Sequence, residues 1–167
     1  MEEKSQVRHE FINGKLVEMP GGSMLHEKII MNLALFLKIA GLEVFTQGLR
    51  VRPPESADYY YPDVVVTAEK VAKVFHVEAP LFIAEVLSPS TRVNDLVDKF
   101  IAYRRFPSLH YYLLAEVEFC QVTLFYKNEK GEWESAIFRQ PHDIIQLERL
   151  AVQLPLSEIY AGIDWEN

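Results

Sequence analysis

The chain has 167 residues, 49% hydrophobic, 12% aromatic and 25% charged, with 24 acidic against 17 basic residues and a net charge of -7. This fits one ordinary globular domain spanning 1–167 and excludes a disordered chain, while the acidic balance argues against tight non-specific nucleic-acid binding by a lone subunit. The single cysteine, Cys120, excludes an internal disulfide and a multi-cysteine zinc site, and is expected to be buried packing in a strand.

No apolar run reaches the roughly 18 residues that a membrane helix needs. The opening MEEKSQVRHE is charged and lacks the apolar core of a secretion signal, so a cytoplasmic location is expected. His9 to Phe11 and Lys15 to Met19 flank Asn13-Gly14, which predicts an N-terminal β-hairpin. From Leu25 to Ala40 apolar residues recur at helical spacing behind Ser23, a fair N-cap. His26 falls inside that apolar face, either as a core histidine or looking into a site at the sheet's end.

Val44 to Arg52 reads as one or two strands with Gly48 as a bulge or turn. Asp63 heads the short apolar run Val64 to Thr67, and Glu69 to Val77 reads either as a short helix or as a loop. Leu81 to Leu87 is apolar except for Glu85, the pattern of a strand covered on both faces. Alternation puts Glu85 on one face with Leu81, Ile83 and Leu87. A carboxylate there requires compensation, whether by a metal ion, a lysine, backbone donors or a structural arginine.

Ser88, Pro89 and Ser90 close the strand, and Asn94 to Arg105 is predicted to be a helix with Val93, Leu96, Val97, Phe100 and the stem of Arg104 on one stripe. Lys99 lies about a third of a turn off that stripe, leaning to the sheet edge or to solvent, where Asp95 four residues earlier would make a surface pair. His110 to Leu114, Phe119 to Lys127 and Trp133 to Arg139 read as further strands, the last two a hairpin around Asn128 to Gly131. The tail from Leu147 to Ile163 is expected to finish the sheet and cap it with a short helix. Arg50 with Arg52, and Arg92 with Arg104 and Arg105, are the candidate basic patches. This order of elements predicts an α/β or α+β domain with a mixed sheet.

Asp63, Glu85 and Lys99 are the candidate constellation. Two carboxylates brought together repel unless a cation intervenes, and hard oxygen ligands suit Mg²⁺ or Mn²⁺. A lysine beside them could orient water or stabilise charge developing on a phosphate, which is the chemistry of phosphodiester hydrolysis.

The wording around these residues is more specific than their spacing. YPDVVV, followed by LFIAEVLSPSTRVNDLVDKFIAYRRFPSLHYYLL, resembles the Uma-type family of putative restriction endonucleases within the PD-(D/E)xK nuclease superfamily, and HEFINGKLVEMPGGSMLHEKIIMNLALFL is similar to that family's opening. The resemblance covers roughly Glu10 to Leu114. It implies a restriction-endonuclease-like core, a four-stranded mixed sheet flanked by helices. It also implies that Pro62-Asp63 is the PD element and Glu85 the second acid, and that Asp63, Glu85 and the carbonyl of Val86 are ligands to Mg²⁺ or Mn²⁺. Leu87 stands where the superfamily has its lysine, and the resemblance implies that Lys99 on the following helix takes the role. Glu18 and His26 match an acidic and a histidine position and are accessory candidates.

The function so implied is a metal-dependent DNA endonuclease, with a homodimer expected because two nicks across a duplex need two sites. The alternatives are a catalytically inactive module on the same fold that binds nucleic acid or a protein partner, and a metal-dependent hydrolase of smaller phosphate esters.

Overall fold

Short runs of Val, Ile, Leu and Tyr, apolar at successive positions, make the centre of this protein a sheet covered on both faces. The computed structural model describes residues 9–12, 14–18 with the side chains of 16–18 excepted, 22–73, 75–88 and 98–165. In chain order the elements are β1 (His9–Ile12), β2 (Lys15–Glu18), α1 (Met24–Ile39), β3 (Glu43–Thr46), β4 (Arg50–Val51), β5 (Val64–Thr67), β6 (His76–Val77) and β7 (Pro80–Leu87). There follow α2 (Phe100–Tyr103), β8 (Tyr111–Glu116), β9 (Val122–Lys127), β10 (Trp133–Phe138), β11 (Ile144–Leu147), a 3-10 turn at Glu148–Leu150, β12 (Val152–Pro155) and α3 (Leu156–Ile159).

Six strands form one mixed sheet in the order β10-β9-β8-β7-β5-β3. β7 and β8 run parallel and the other neighbours antiparallel. The fold is therefore mixed α+β, and the expected four-stranded unit is present as β3, β5, β7 and β8, widened to six by the β9–β10 hairpin. Val64, Val66, Phe82, Ala84, Val86, Leu113 and Leu124 point to one face, where Ile29, Ile30, Leu33 and Leu37 of α1 cover them together with α3 and the β11–β12 ribbon. Val65, Ile83, Leu87, Tyr112 and Leu114 point to the other face, under Ala102, Tyr103 and Phe106. Each Val or Leu buried this way contributes roughly 2 kcal/mol of transfer free energy, so the alternation fixes which residues of β7 face which layer.

The hairpin β1–β2 pairs in register with Gly14 at φ +77, the conformation that a tight Asn-Gly turn demands of its second residue; Asn13 itself lies outside the described residues. Ser23 caps α1, its hydroxyl accepting from the N–H of His26 at 3.2 Å.

Two expectations are corrected and two are met in part. The tail does not extend the main sheet: β11 and β12 pair only with each other among the described residues, and their apolar residues close over α1's face instead. Cys120 precedes β9 rather than lying in it, half-buried against the core. Among the described residues the segment Glu69 to Val77 is the loop alternative rather than a helix, ending in the two-residue strand β6, parallel to β4. Of the helix predicted over Asn94 to Arg105, α2 accounts for Phe100–Tyr103, while Arg92, Val93, Asn94, Asp95, Leu96 and Val97 lie outside the described residues.

Candidate active site

The antiparallel ladder between β5 and β7 runs out beside Asp63. Val64 pairs with Ala84, and the same register carried two steps further sets Pro62 against Val86. Proline has no N–H to donate. The N–H of Val86 is taken instead by Asp63, whose Oδ2 accepts it at 2.8 Å. Asp63 Oδ2 also lies 3.4 Å from His26 Nε2 at the first turn of α1, and Gln47 Nε2 approaches Oδ1 at 3.4 Å. Gln47 Nε2 is 3.2 Å from Glu27 Oε1 as well, so Asp63, His26, Glu27 and Gln47 form one polar group at the end of α1.

Glu85 lies one residue before Val86 and is 2% exposed. It faces the α2 layer, on the side of the sheet to which Ile83 and Leu87 also point. Lys99 and Tyr103 are four residues apart, one helical turn, so both reach the same point on the sheet. Lys99 Nζ is 3.2 Å from Glu85 Oε1 and the Tyr103 hydroxyl donates to the same oxygen at 2.9 Å. Lys99 Nζ is also 3.4 Å from Glu10 Oε1, an atom that accepts the N–H of Tyr61 at 3.1 Å. Glu10 is carried there by β1, which Phe11 ties to Tyr59 through reciprocal main-chain bonds of 3.2 and 3.0 Å.

Lys99 is therefore a buried cation between two buried carboxylates, and the solvent-facing reading with Asp95 is overturned: Lys99 is 7% exposed, Glu10 6%. Leu87, at the superfamily's lysine position, packs into the core on the same face as Glu85.

Burial raises the Tyr103 hydroxyl well above its usual pKa, and the charges of Glu85 and Glu10 push it further. Burial likewise moves Tyr60 up to about 12, with help from Asp58 and Glu10. Both stay neutral at physiological pH, so Tyr103 remains a donor that holds Glu85 in place. Its ring is fixed edge-on by Tyr60 at 5.5 Å and Tyr112 at 5.3 Å.

At His26, burial pulls the pKa down, but the bond and charge of Asp63, together with Glu27, outweigh it and the net shift is upward. A histidine with a raised folded pKa stabilises fully below its unfolded value of about 6.5, and that stabilisation fades as pH rises through the folded pKa. Urea unfolding in EDTA should show His26→Gln less stable than wild type near pH 6, with the gap closing as pH rises through the folded pKa of His26. A gap that widens with pH would contradict the Asp63 pairing.

His26 Nδ1 is buried with no hydrogen-bond partner, 3.6 Å from Glu27 Oε1. A Cβ at Gly22 would lie 2.5 Å from that atom, so glycine lets the chain pass close to this ring.

Of the predicted site residues, the structure joins Glu85 to Lys99 directly. Asp63 is one peptide unit away, on the N–H of Val86. Glu18 is paired with His9 in the hairpin register and its side chain lies outside the described residues. Glu10 is the hairpin carboxylate that reaches Lys99. Glu10, Gln47 and Tyr103 were not anticipated. Tyr103 had a signal, its four-residue spacing from Lys99, whereas Glu10 and Gln47 had none.

Among the described residues no three His, Cys, Asp or Glu side chains converge as a metal-binding cluster. What the site offers a cation is two carboxylates, Asp63 just ahead of β5 and Glu85 in the neighbouring β7. That donor set fits Mg²⁺ or Mn²⁺, which keep water and take oxygen from substrate phosphate, and does not fit a structural zinc. Asp63 and Glu85 are the side chains that could hold such an ion.

The six-stranded mixed sheet flanked by helices defines an α+β protein. Residues 1–157 match the family Uma2, described as putative restriction endonuclease, and the chain belongs to that family. It is 30% identical over 168 residues to the uncharacterized protein slr1290 of Synechocystis sp., covering 97% of this chain and 88% of that one. It is 35% identical over 141 residues to the uncharacterized protein sll1609 of the same organism, covering 79% of each. The crystal structure of a putative nuclease belonging to DUF820 from Anabaena variabilis superposes with a TM-score of 0.77 at 16% identity, over 94% of this chain and 92% of that one, which establishes a shared fold. No helix among the described residues is long and apolar enough to cross a membrane.

Proposed function

We propose that this protein is a metal-dependent endodeoxyribonuclease that hydrolyses phosphodiester bonds in DNA. The observation that carries the reading is the buried Lys99 ammonium held against Glu85 Oε1, with Asp63 on the main-chain N–H of the next residue. A bound Mg²⁺ or Mn²⁺ would supply Lewis-acid stabilisation of charge developing on the phosphate. Asp63 and Glu85 would hold the ion, with the Val86 carbonyl as a further oxygen ligand. Lys99 would orient the attacking water and offset the charge on the phosphate oxygens, while Glu10 and Tyr103 keep Lys99 and Glu85 in position. His26 and Gln47 would fix the orientation of Asp63. Membership of a restriction-endonuclease family supports nucleic acid as the substrate. A homodimer would present one such site to each strand of a duplex, and a DNA substrate agrees with a cytoplasmic location.

Incubation of the purified protein with supercoiled plasmid and either Mg²⁺ or Mn²⁺ should give nicked and linear DNA, and EDTA should stop it. Asp63→Asn should lower the rate by at least about 100-fold, the range expected on losing a group that stabilises charge in the transition state. Cleavage that persists in EDTA would refute the metal requirement.

A catalytically inactive module is the second reading. It is favoured by Leu87 at the motif position and by Glu85 being neutralised within the protein. Calorimetric titration with Mn²⁺ separates the two: heat that disappears in Asp63→Asn supports the nuclease, and no heat in the wild type supports the inactive module.

A further inference from the structure

β3 ends the main sheet. Among the described residues it pairs only with β5, so its other side is an open edge. The N–H of Gln47 goes to the carbonyl of Asp63 at 3.3 Å. Main-chain groups alternate along an antiparallel ladder, so Glu43 and Phe45 also face β5, while Val44 and Thr46 turn their N–H and C=O outward. The Thr46 carbonyl accepts the N–H of Gly48 as well. Such an edge is a template for another strand unless charge, proline or a covering segment blunts it, and β3 carries charge only at Glu43.

A groove separates this edge from α1, lined on the helix side by Glu27, Ile30, Met31, Ala34, Leu35 and Lys38. Met31 and Leu35 stand out of it, 68% and 58% exposed, whereas Ile30 is buried in its floor and Ala34 is short and half-buried. Helix and strand are tied at both ends. Lys38 Nζ lies 2.7 Å from Glu43 Oε1, and Gln47 Nε2 lies 3.2 Å from Glu27 Oε1. The midpoint between Glu27 and Lys38 on α1 is therefore level with Phe45, the midpoint between Glu43 and Gln47 on β3.

A two-fold axis through that level maps the groove onto itself, which is what an interface between identical chains requires. A second copy packed antiparallel about it sets Glu27 against the partner's Lys38, Ile30 against the partner's Leu35, and Met31 against the partner's Ala34. Each protruding side chain then meets a recessed one, and each acid meets a base. On the strand the same axis sets Val44 against the partner's Thr46, the two residues whose main-chain groups point outward. We infer that the outer ridge of α1 and the β3 edge form a homodimer interface, on which a second copy of this chain continues the sheet strand to strand and packs helix against helix. The inference rests on the homodimer of the proposed reading and not on its chemistry.

The test is sedimentation velocity of the full chain at about 1 to 100 μM, the range over which a micromolar dimer dissociates, in EDTA and without DNA. The wild type should reach twice the monomer mass. Leu35→Glu, which sets a carboxylate against the partner's Ile30, should stay monomeric with an unchanged circular dichroism spectrum, since Leu35 is exposed in the single chain. Lys38→Glu should weaken association at least about 10-fold by turning an attraction at each end of the groove into a repulsion, and Lys38→Arg should not. Ile137→Glu, at an exposed position of β10 on the other edge of the sheet, is the control and should dimerise as the wild type does.

A dimer lost in Leu35→Glu and kept in Ile137→Glu supports the interface. One that survives Leu35→Glu, or that Ile137→Glu breaks, overturns it. So does a wild type still monomeric at about 100 μM, which leaves the ridge to another protein or to a lipid surface. Plasmid nicking by such a monomer would keep the nuclease reading without the interface, and a dimer that nicks no DNA would keep the interface without the nuclease.

Discussion

Replacing Glu85 by alanine is expected to reduce Mg²⁺-dependent plasmid cleavage by at least about 10²- to 10³-fold while leaving a folded protein. The loss follows from the position of the carboxylate. It is 2% exposed and bonded to Lys99 and Tyr103 through the same oxygen, so no neighbouring water can take over its role toward a metal or a phosphate. The fold should survive because Lys99 keeps Glu10 at 3.4 Å. The Tyr103 hydroxyl loses its acceptor, costing about 1 to 3 kcal/mol, and removal of a desolvated carboxylate offsets much of that. Glu85→Gln keeps an acceptor for Tyr103 and should be inactive at near wild-type stability. Gel-based nicking assays and urea unfolding of both variants check the two halves. Undiminished cleavage by Glu85→Ala would remove Glu85 from the mechanism.

Replacing Lys99 by methionine should be the more damaging change to stability, by about 3 to 5 kcal/mol, because it breaks a buried charge arrangement from its centre. The stem is retained, yet Glu10 and Glu85 are left with side chains only 8% and 3% exposed and without their shared ammonium. For a protein of this size that corresponds to a drop of about 10 °C in the midpoint of thermal unfolding, measured by circular dichroism in EDTA. Adding Glu10→Gln to Lys99→Met should recover part of the loss, since one of the two stranded charges is then gone. If Lys99→Met unfolds at the wild-type temperature, the ammonium does not offset the two carboxylates, and a role confined to catalysis is the surviving one.

These two substitutions separate what is chemical from what is structural in one ion pair. Glu85 is expected to be dispensable to folding, because Lys99 keeps a second carboxylate in Glu10. Lys99 bridges two acids and is expected to be needed for stability.

Much of the frame was legible in the amino-acid order. The helical period from Leu25 and the cap at Ser23 are local signals, and α1 follows them to within a residue. The two apolar runs that became β5 and β7 are short and unbroken because both of their faces are covered, and alternation within β7 placed Glu85 with Ile83 and Leu87. The β9–β10 turn was marked by Asn128 and Gly131, with Asn128 Oδ1 accepting the N–H groups of Lys130 and Glu132. The tail was misplaced because alternation says which residues are buried and not which surface buries them. Leu147, Val152 and Leu154 are apolar for the sake of α1's face rather than as part of the main sheet.

For the site, local pattern in the sequence marked a carboxylate ahead of β5 and another within the buried run of β7, while the grouping of Asp63, Glu85 and Lys99 came from the family resemblance of the wording around them. Only the tertiary structure decided that Lys99 is buried rather than solvent-facing, that Glu10 from the N-terminal hairpin shares it, and that Gln47 and His26 converge on Asp63. The physical reason is range: hydrophobic period and turn chemistry act over a few residues. The compensation of a buried charge is settled by whichever donors the folded chain brings within about 3 Å, here from segments up to 89 positions apart, Glu10 to Lys99.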